Sequence, residues 1–387
     1  MRNLFVICMM AGYASSALAN QQQGDSWSLT TNIGQSFDDN IFRINDDTRL
    51  GDGLSRSDWL TSMNLGARWG TTLSRQQLFL AGGVNRQEYA NNDGMSNTSH
   101  QTTAGWNGVI GPWLHSGLQL SESSQLGSFE DVAAGTRDMR NQRSVDLSFS
   151  NPPDRRIQTE LRGVARTVRH SSALYEALDV DELGWGATLG YRTARGSQLR
   201  LMWQDKQITY RQPTTSGQDN RQLKLTLGWS WPVSDRLDLQ GQVGRMVWLY
   251  DDRDDKQFLV GSLGVRYALS DKSSFGLRWS RQEAPAGERY ESVINNTYSL
   301  NWKWQWTPVW SLNQSVSRSE ADYQEAAPSS STLLGNEKTY GYQATLTWHP
   351  ARNWTSRFSW KWGSRQSQLH SREYDYQNAG VNLSYTF

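Results

Sequence analysis

From Trp27 to Phe387 apolar and polar residues alternate with a period of two, in segment after segment. In "WLTSMNLGARW" (59–69), Trp59, Met63, Leu65 and Trp69 share one parity, and in "QLKLTLGWSW" (222–231) Leu223, Leu225, Leu227, Trp229 and Trp231 do. "YSLNWKWQW" (298–306) repeats the pattern with Tyr298, Leu300, Trp302, Trp304 and Trp306. Successive strand side chains point to opposite faces, so each segment reads as a strand with one apolar face. About eighteen such segments follow one another, an even number suited to a closed antiparallel barrel. The last, "AGVNLSYTF" (379–387), stops on an aromatic in mid-pattern.

The connections sharpen the expectation. Short turns are predicted near Leu73-Ser74, Gly111-Pro112, Asn151-Pro152, Ala194-Arg195, Pro232-Val233, Ser270-Asp271, Thr307-Pro308 and His349-Pro350. Longer polar loops fall between them at 38–57, 87–98, 168–181, 211–220, 281–291, 319–336 and 364–373. Alternating short and long connections, spaced by roughly two membrane-spanning strands plus a loop, belong to an up-and-down transmembrane barrel of the bacterial outer membrane. Both chain ends are then expected on the periplasmic side. A soluble sandwich would have shorter strands, and a propeller would repeat a blade motif, which is absent here. The 19 Trp, 15 Tyr and 33 Gly fit strands that face lipid on one side and water on the other.

The segment "MRNLFVICMMAGYASSALAN" has a basic start, an apolar run too short to span a bilayer, and Ala17-Leu18-Ala19. It reads as a secretory signal over 1–19, leaving 20–387 as one barrel domain. The single cysteine, Cys8, would leave with it, which excludes disulfides and cysteine chemistry from the mature chain.

If the apolar parity meets lipid, the opposite parity lines the lumen. There it places Arg68, Arg162, Arg166, Arg200, Lys206, Lys224, Arg266, Arg278, Lys303, Arg357 and Lys361, against the acids Asp146, Glu160 and Asp238. The formal net charge is only +1, so the expected interior is more basic than the whole chain. A low-dielectric wall of one sign concentrates counter-ions, and rings of Arg and Lys favour anions. Pairing with loop carboxylates would cancel that field. Around eighteen strands leave a lumen wide enough for an aqueous channel. The first long loop, carrying Asp38, Asp39, Asn40, Phe42 and Arg43, is the candidate constriction.

No catalytic constellation is legible. His100, His115, His170, His349 and His370 occur in no Gly-x-Ser-x-Gly context and at no metal-ligand spacing. The acidic run "DDRDD" (251–255) lacks the spacing of an EF-hand loop. Neither a cofactor nor a nucleic acid is expected, since no Gly-rich loop precedes a helix and the bases are dispersed over strands.

Several stretches carry a family resemblance: "SFDDNIFRI" (36–44), "RSDWLTSMNLGARW" (56–69), "SRQQLFLAGGVNRQEY" (74–89) and "RNQRSVDLSFSNPPDRRIQTELRG" (140–163). Together they resemble the EpsL-type exopolysaccharide-operon proteins of the type 2 β-barrel porin group. The resemblance implies an outer-membrane conduit for a secreted polysaccharide, working beside a periplasmic polysaccharide export protein, with no catalytic residues to transfer. It also implies contact with outer-membrane lipid and lipopolysaccharide, and recognition by the barrel-assembly machinery through the strand ending at Phe387. The residues themselves leave two alternatives open: a general or anion-selective porin for small solutes, and a barrel hydrolase or acyltransferase.

Overall fold

The computed structural model describes residues 26–130, 134–211, 219–250, 254–284, 293–323 and 336–387. The signal segment with Cys8, residues 251–253 of the acidic run, and parts of the loops at 211–220, 281–291 and 319–336 lie outside the described residues.

The period-two segments become eighteen antiparallel strands. In chain order they are β1 (Ser26–Asp38), β2 (Asp58–Leu73), β3 (Gln76–Tyr89), β4 (Asn97–Ile110), β5 (Leu114–Leu126) and β6 (Met139–Ser150). Next come β7 (Ile157–His170), β8 (Val180–Arg192), β9 (Gln198–Tyr210), β10 (Asn220–Ser234), β11 (Leu237–Leu249) and β12 (Lys256–Ser270). The last six are β13 (Ser273–Ala284), β14 (Val293–Gln305), β15 (Trp310–Tyr323), β16 (Asn336–Ala351), β17 (Trp354–Gln366) and β18 (Tyr374–Thr386). Each strand pairs with its chain neighbours, and β1 pairs with β18 from Thr30↔Thr386 to Asp38↔Asn378, so the sheet has no free edge. Closure satisfies the backbone polar groups that lipid could not. The amide of Phe387 extends the seam, donating to the Leu29 carbonyl at 2.8 Å.

Two predicted turns are displaced. Pro232 and Val233 lie inside β10, at a register shift between Pro232 and Ser234, and the turn follows at Asp235-Arg236. His349 and Pro350 likewise fall within an irregularity between Trp348 and Ala351 of β16. Proline cannot donate to the ladder, and a strand-end bulge tolerates it. The terminal strand begins at Tyr374, ahead of the segment 379–387 read from the sequence, and one long connection, 127–138, is absent from the sequence expectation.

The apolar parity is exposed: Trp27, Ile33, Leu65, Leu120, Leu161, Leu189, Leu225, Leu263 and Leu383 all stand on the outside of the barrel. An exposed apolar belt on a closed sheet is a lipid-facing surface. Tryptophans gather at the short-turn end, where Trp302, Trp304 and Trp306 stack in sequence and Trp310 stacks on Trp348 at 5.4 Å. Trp360 sits farther along β17 in the belt, opposite Ala344 and Ala379. Buried apolar clusters are confined to the long-loop end. Ile41, Phe42, Tyr89 and Met95 form one, Met246, Trp248, Tyr250, Phe258, Val260 and Ile294 form a second, and Val293 with Ala321 forms a third.

Candidate permeation path and its mouth

Strand register decides which side chains enter the lumen. Ser28↔Arg68 and Asn32↔Asn64 lie on the face opposite Trp27↔Trp69 and Ile33↔Met63. Followed around the sheet, the same alternation carries all eleven predicted bases to the lumen face. Three are matched by acids. Arg162 pairs with Asp146, Arg266 with Asp238, and Arg166 with Glu182 at 3.4 Å while also donating to Gln142 at 3.0 Å. Glu182 was not among the expected acids, although its parity on β8 marks it as inward. Among the described residues, Arg68, Arg200, Lys206, Lys224, Lys303 and Arg357 have no carboxylate at ion-pair distance.

The basic residues are unevenly shared around the wall. Strand β8 turns Gly184, Gly186 and Gly190 inward, opposite Lys206, Gln204 and Arg200 of β9 and opposite Val164, Arg162 and Gln158 of β7. With no side chain projecting from those positions, β8 forms a recessed furrow between Arg162 and Arg166 on one bank and Arg200 and Lys206 on the other. Lys206 lies opposite Gln222 and Lys224 opposite Gln204, so the two ammonium groups are diagonal neighbours. Farther along, strand parity breaks. Glu283 of β13 accepts a hydrogen bond from the amide of Gln222 on β10 at 2.9 Å, which brings a carboxylate toward the Lys206–Lys224 pair from three strands away.

The five predicted constriction residues secure the first long loop. Arg43 forks onto both oxygens of Asp38 at 2.8 Å and lies over the Tyr376 ring at 3.5 Å. Its backbone is left-handed (φ 54°), a conformation those contacts hold in place. Desolvation pulls the Arg43 guanidinium down, but the Asp38 carboxylate outweighs it and the pKa lies above the ordinary value. Asn40 donates to the carbonyls of Ile44 (2.8 Å) and Asp375 (2.9 Å); the Asp39 backbone N–H continues the β18 ladder by donating to the Gln377 carbonyl at 3.1 Å, and its carboxylate accepts from the Gln377 backbone N–H at 2.7 Å. Phe42 is 1% exposed. These groups are spent on anchoring, so they are not free charges presented to a solute.

Connection 127–138 completes the mouth. Phe129 meets Phe42 edge to face at 4.9 Å, and Glu130 reaches Arg365 on the lumen face of β17 at 3.5 Å. Strands β18 and β1–β4 separate β5, from which the connection leaves the wall, from β17, which Glu130 reaches, so the link crosses the opening as a chord. Burial pushes the Glu130 carboxyl up, while the charges of Arg365 and Arg43 pull it down. Arg365 lies over the Tyr374 ring at 4.8 Å. Beyond it, Glu337 accepts from Arg372, from Tyr323 (2.6 Å) and from Ser367 (2.9 Å), tying three further outer segments together. Composition gave no prominence to residues 127–138. Spacing could have found the loop, because the turns at 111–112 and 151–152 require a connection midway between them.

Among the described residues, the histidines are not seen beside an activated nucleophile. His170 contacts Asp179 at 3.1 Å, His349 contacts Thr355 at 3.1 Å, and His370 sits between Glu373 (2.7 Å) and Asp47 (3.2 Å). None of these pairs continues into a base–nucleophile–acid relay. Among the described residues, no group of three or more His, Cys, Asp or Glu side chains has a metal-binding arrangement.

No family model matches the chain. No curated protein matches it. Solved structures do. OpdK, an outer-membrane protein of Pseudomonas aeruginosa, superposes with a TM-score of 0.52 at 12% identity, over 94% of this chain and 98% of that one. OccK2 (OpdF) of the same organism, solved with glucuronate, gives 0.53 at 12% identity, over 95% and 99%. The siderophore receptor PirA of Pseudomonas aeruginosa gives 0.51 at 9% identity, over 95% and 81%. At such identities the likeness concerns the fold: this chain is a closed eighteen-stranded antiparallel barrel of the kind that outer-membrane proteins form.

Proposed function

We propose that the protein is an outer-membrane channel selective for anions, passing small carboxylated solutes. In this reading the short turns and both chain ends face the periplasm and the long loops face outward. The observation that carries it is the surplus of lumen-facing Arg and Lys that, among the described residues, have no carboxylate at ion-pair distance, half of them (Arg200, Lys206 and Lys224) on β9 and β10 beside the furrow. Such a wall attracts anions, and dispersed, solvated contacts are weak enough to release them. The structural neighbour solved with glucuronate superposes on 95% of this chain and supports a sugar acid as the first solute to try.

The decisive experiment is the reversal potential of the purified protein in planar bilayers under a salt gradient, repeated with glucuronate as the anion. Preference for anions, with measurable glucuronate current, supports the proposal. Cation preference would overturn it.

A secreted anionic polysaccharide, the cargo implied by the EpsL-type resemblance, would use the same basic wall. The favouring observation is that "DDNIFR" (38–43), the segment carrying the resemblance, includes the residues that anchor the mouth. In the same bilayers, uronate oligomers that transit as their length increases favour the polymer route. Exclusion beyond two or three sugars favours small solutes.

A further inference from the structure

The outside of the barrel changes character toward the long loops. Above the apolar belt, outward-facing arginines appear on strand after strand, and most meet a carboxylate. Arg86 pairs with Glu88, Arg143 with Glu122, Arg169 with Asp181, Arg221 with Asp205, and Arg318 with Glu320. Each of these pairs is nearly neutral as a unit.

Arg245 and Arg281 differ. Arg245 donates to the side-chain oxygen of Gln257, and Arg281 donates to that of Asn296 at 3.1 Å. Both acceptors are neutral amides, so neither positive charge is compensated, and among the described residues neither arginine has a carboxylate at ion-pair distance. The two belong together. Arg245 of β11 stands opposite Leu259 of β12, while Arg281 of β13, opposite Gly261, donates its Nε proton to the Leu259 carbonyl at 3.1 Å. Two guanidinium-bearing residues therefore flank one β12 residue on the outer surface. Two like charges at the edge of a low-dielectric phase repel each other unless an anion lies between them.

Depth narrows the anion's identity. Along β11 the outward residues Leu237, Leu239 and Val243 precede Arg245, and the rise from Leu237 to Arg245 is roughly 20 Å at strand pitch and barrel tilt. Apolar bands of such barrels are about 25 Å tall, so the pair lies near the upper edge of the band, within an arginine side chain's reach of the headgroups. Exposed Leu259, Val243 and Leu263 form an apolar track immediately beside and below it.

We infer that Arg245 and Arg281 form a clamp for the phosphate of a phosphorylated lipid, a glycolipid in the outer leaflet, whose acyl chain lies along Leu259, Val243 and Leu263. Guanidinium groups bind phosphate through paired N–H donors, and the remaining donors of both arginines are available for this. This site is on the opposite face of the wall from the lumen; it rests on the proposed orientation, with the long loops outward, and not on conduction.

The test is native mass spectrometry of the full mature protein released from mild detergent, with lipid A as the probe. One bound lipid A is expected, with little binding of its dephosphorylated form. Arg245→Gln with Arg281→Gln should weaken retention at least tenfold, with heat-modifiable gel migration confirming that the barrel has formed. Arg143→Gln, which disturbs a paired arginine elsewhere in the collar, should leave retention unchanged. Equal binding of the dephosphorylated lipid by the wild-type protein would overturn the clamp without reference to any variant. So would undiminished retention in the double variant, or an equal loss in Arg143→Gln. Binding of millimolar inorganic phosphate in place of the lipid would also overturn it, since it would reassign the site to a free anion.

Discussion

Arg43 and Asp38 meet through two parallel hydrogen bonds of 2.8 Å, at the point where β1 gives way to the first long loop. The side chains are only 12% and 7% exposed, so this pair is screened little by solvent. Breaking one partner of such a pair strands the other charge, at a cost on the order of 3 kcal/mol. Arg43→Ala should therefore release the loop locally while the barrel remains folded. The expected readout is faster proteolysis within 39–57 and noisier single-channel current. Arg43→Lys should not restore the wild-type behaviour, because a lysine supplies neither the fork nor the planar contact with Tyr376.

Loop meets loop at Phe42 and Phe129. Removing either ring leaves a cavity in a small cluster, and Phe→Ala in buried sites costs about 3–5 kcal/mol. Phe42→Ala and Phe129→Ala should both raise hydrogen exchange in 39–57 and in 127–138, each affecting the other's loop. Independent responses would show that the two loops do not dock as one unit. Gly135 provides a second handle. Its φ is +78° and a Cβ there would lie 2.6 Å from Leu54 Cδ1, so Gly135→Val should loosen the same contact.

Selectivity should reside in the furrow. Lys206→Glu with Lys224→Glu reverses two charges that face the lumen as diagonal neighbours, and should lower the anion-to-cation permeability ratio by about threefold or more. Arg143→Glu makes a similar charge change on the lipid side and should leave the ratio unchanged. Measurement is by reversal potential at low ionic strength, where screening is weakest.

Two groups at the loop end give the mouth opposite pH responses. His370 lies between Glu373 and Asp47, and hydrogen bonds to those two carboxylates raise its pKa. Its contribution to holding the first and last loops together is complete below the unfolded histidine value, about 6.5, and is lost as pH rises through the higher folded value. Glu337, bonded by Arg372, is the reverse case, with a folded pKa below normal. Its contribution is complete above the unfolded carboxylate value, about 4.3, and is lost as pH falls through the lower folded one. Loop exchange corrected for intrinsic rates should therefore be slowest between these limits. His370→Gln should abolish only the alkaline increase.

Strand count, lumen parity and the order of short and long connections were legible in the residues because each depends on a local rule. The period of two assigns a face, and turn residues punctuate it. Two turns were misplaced because Pro232 and Pro350 sit in bulges, and a bulge is specified by the paired strand as much as by the proline. Glu283 illustrates a different failure. Its parity matches the exposed Leu277, yet it bonds Gln222 three strands away.

The alternation of side chains was enough to separate a greasy face from a wet one and to place the bases on the wet side, since both follow from neighbours one or two residues apart, and with the order of the connections it pointed to a closed sheet. Which of those bases would be neutralised was decided by the fold, as was the chord that Phe129 and Glu130 draw across the opening. Those outcomes depend on pairs such as Glu130 and Arg365, which are far apart along the chain and meet only when the barrel closes and brings its loops over a common rim.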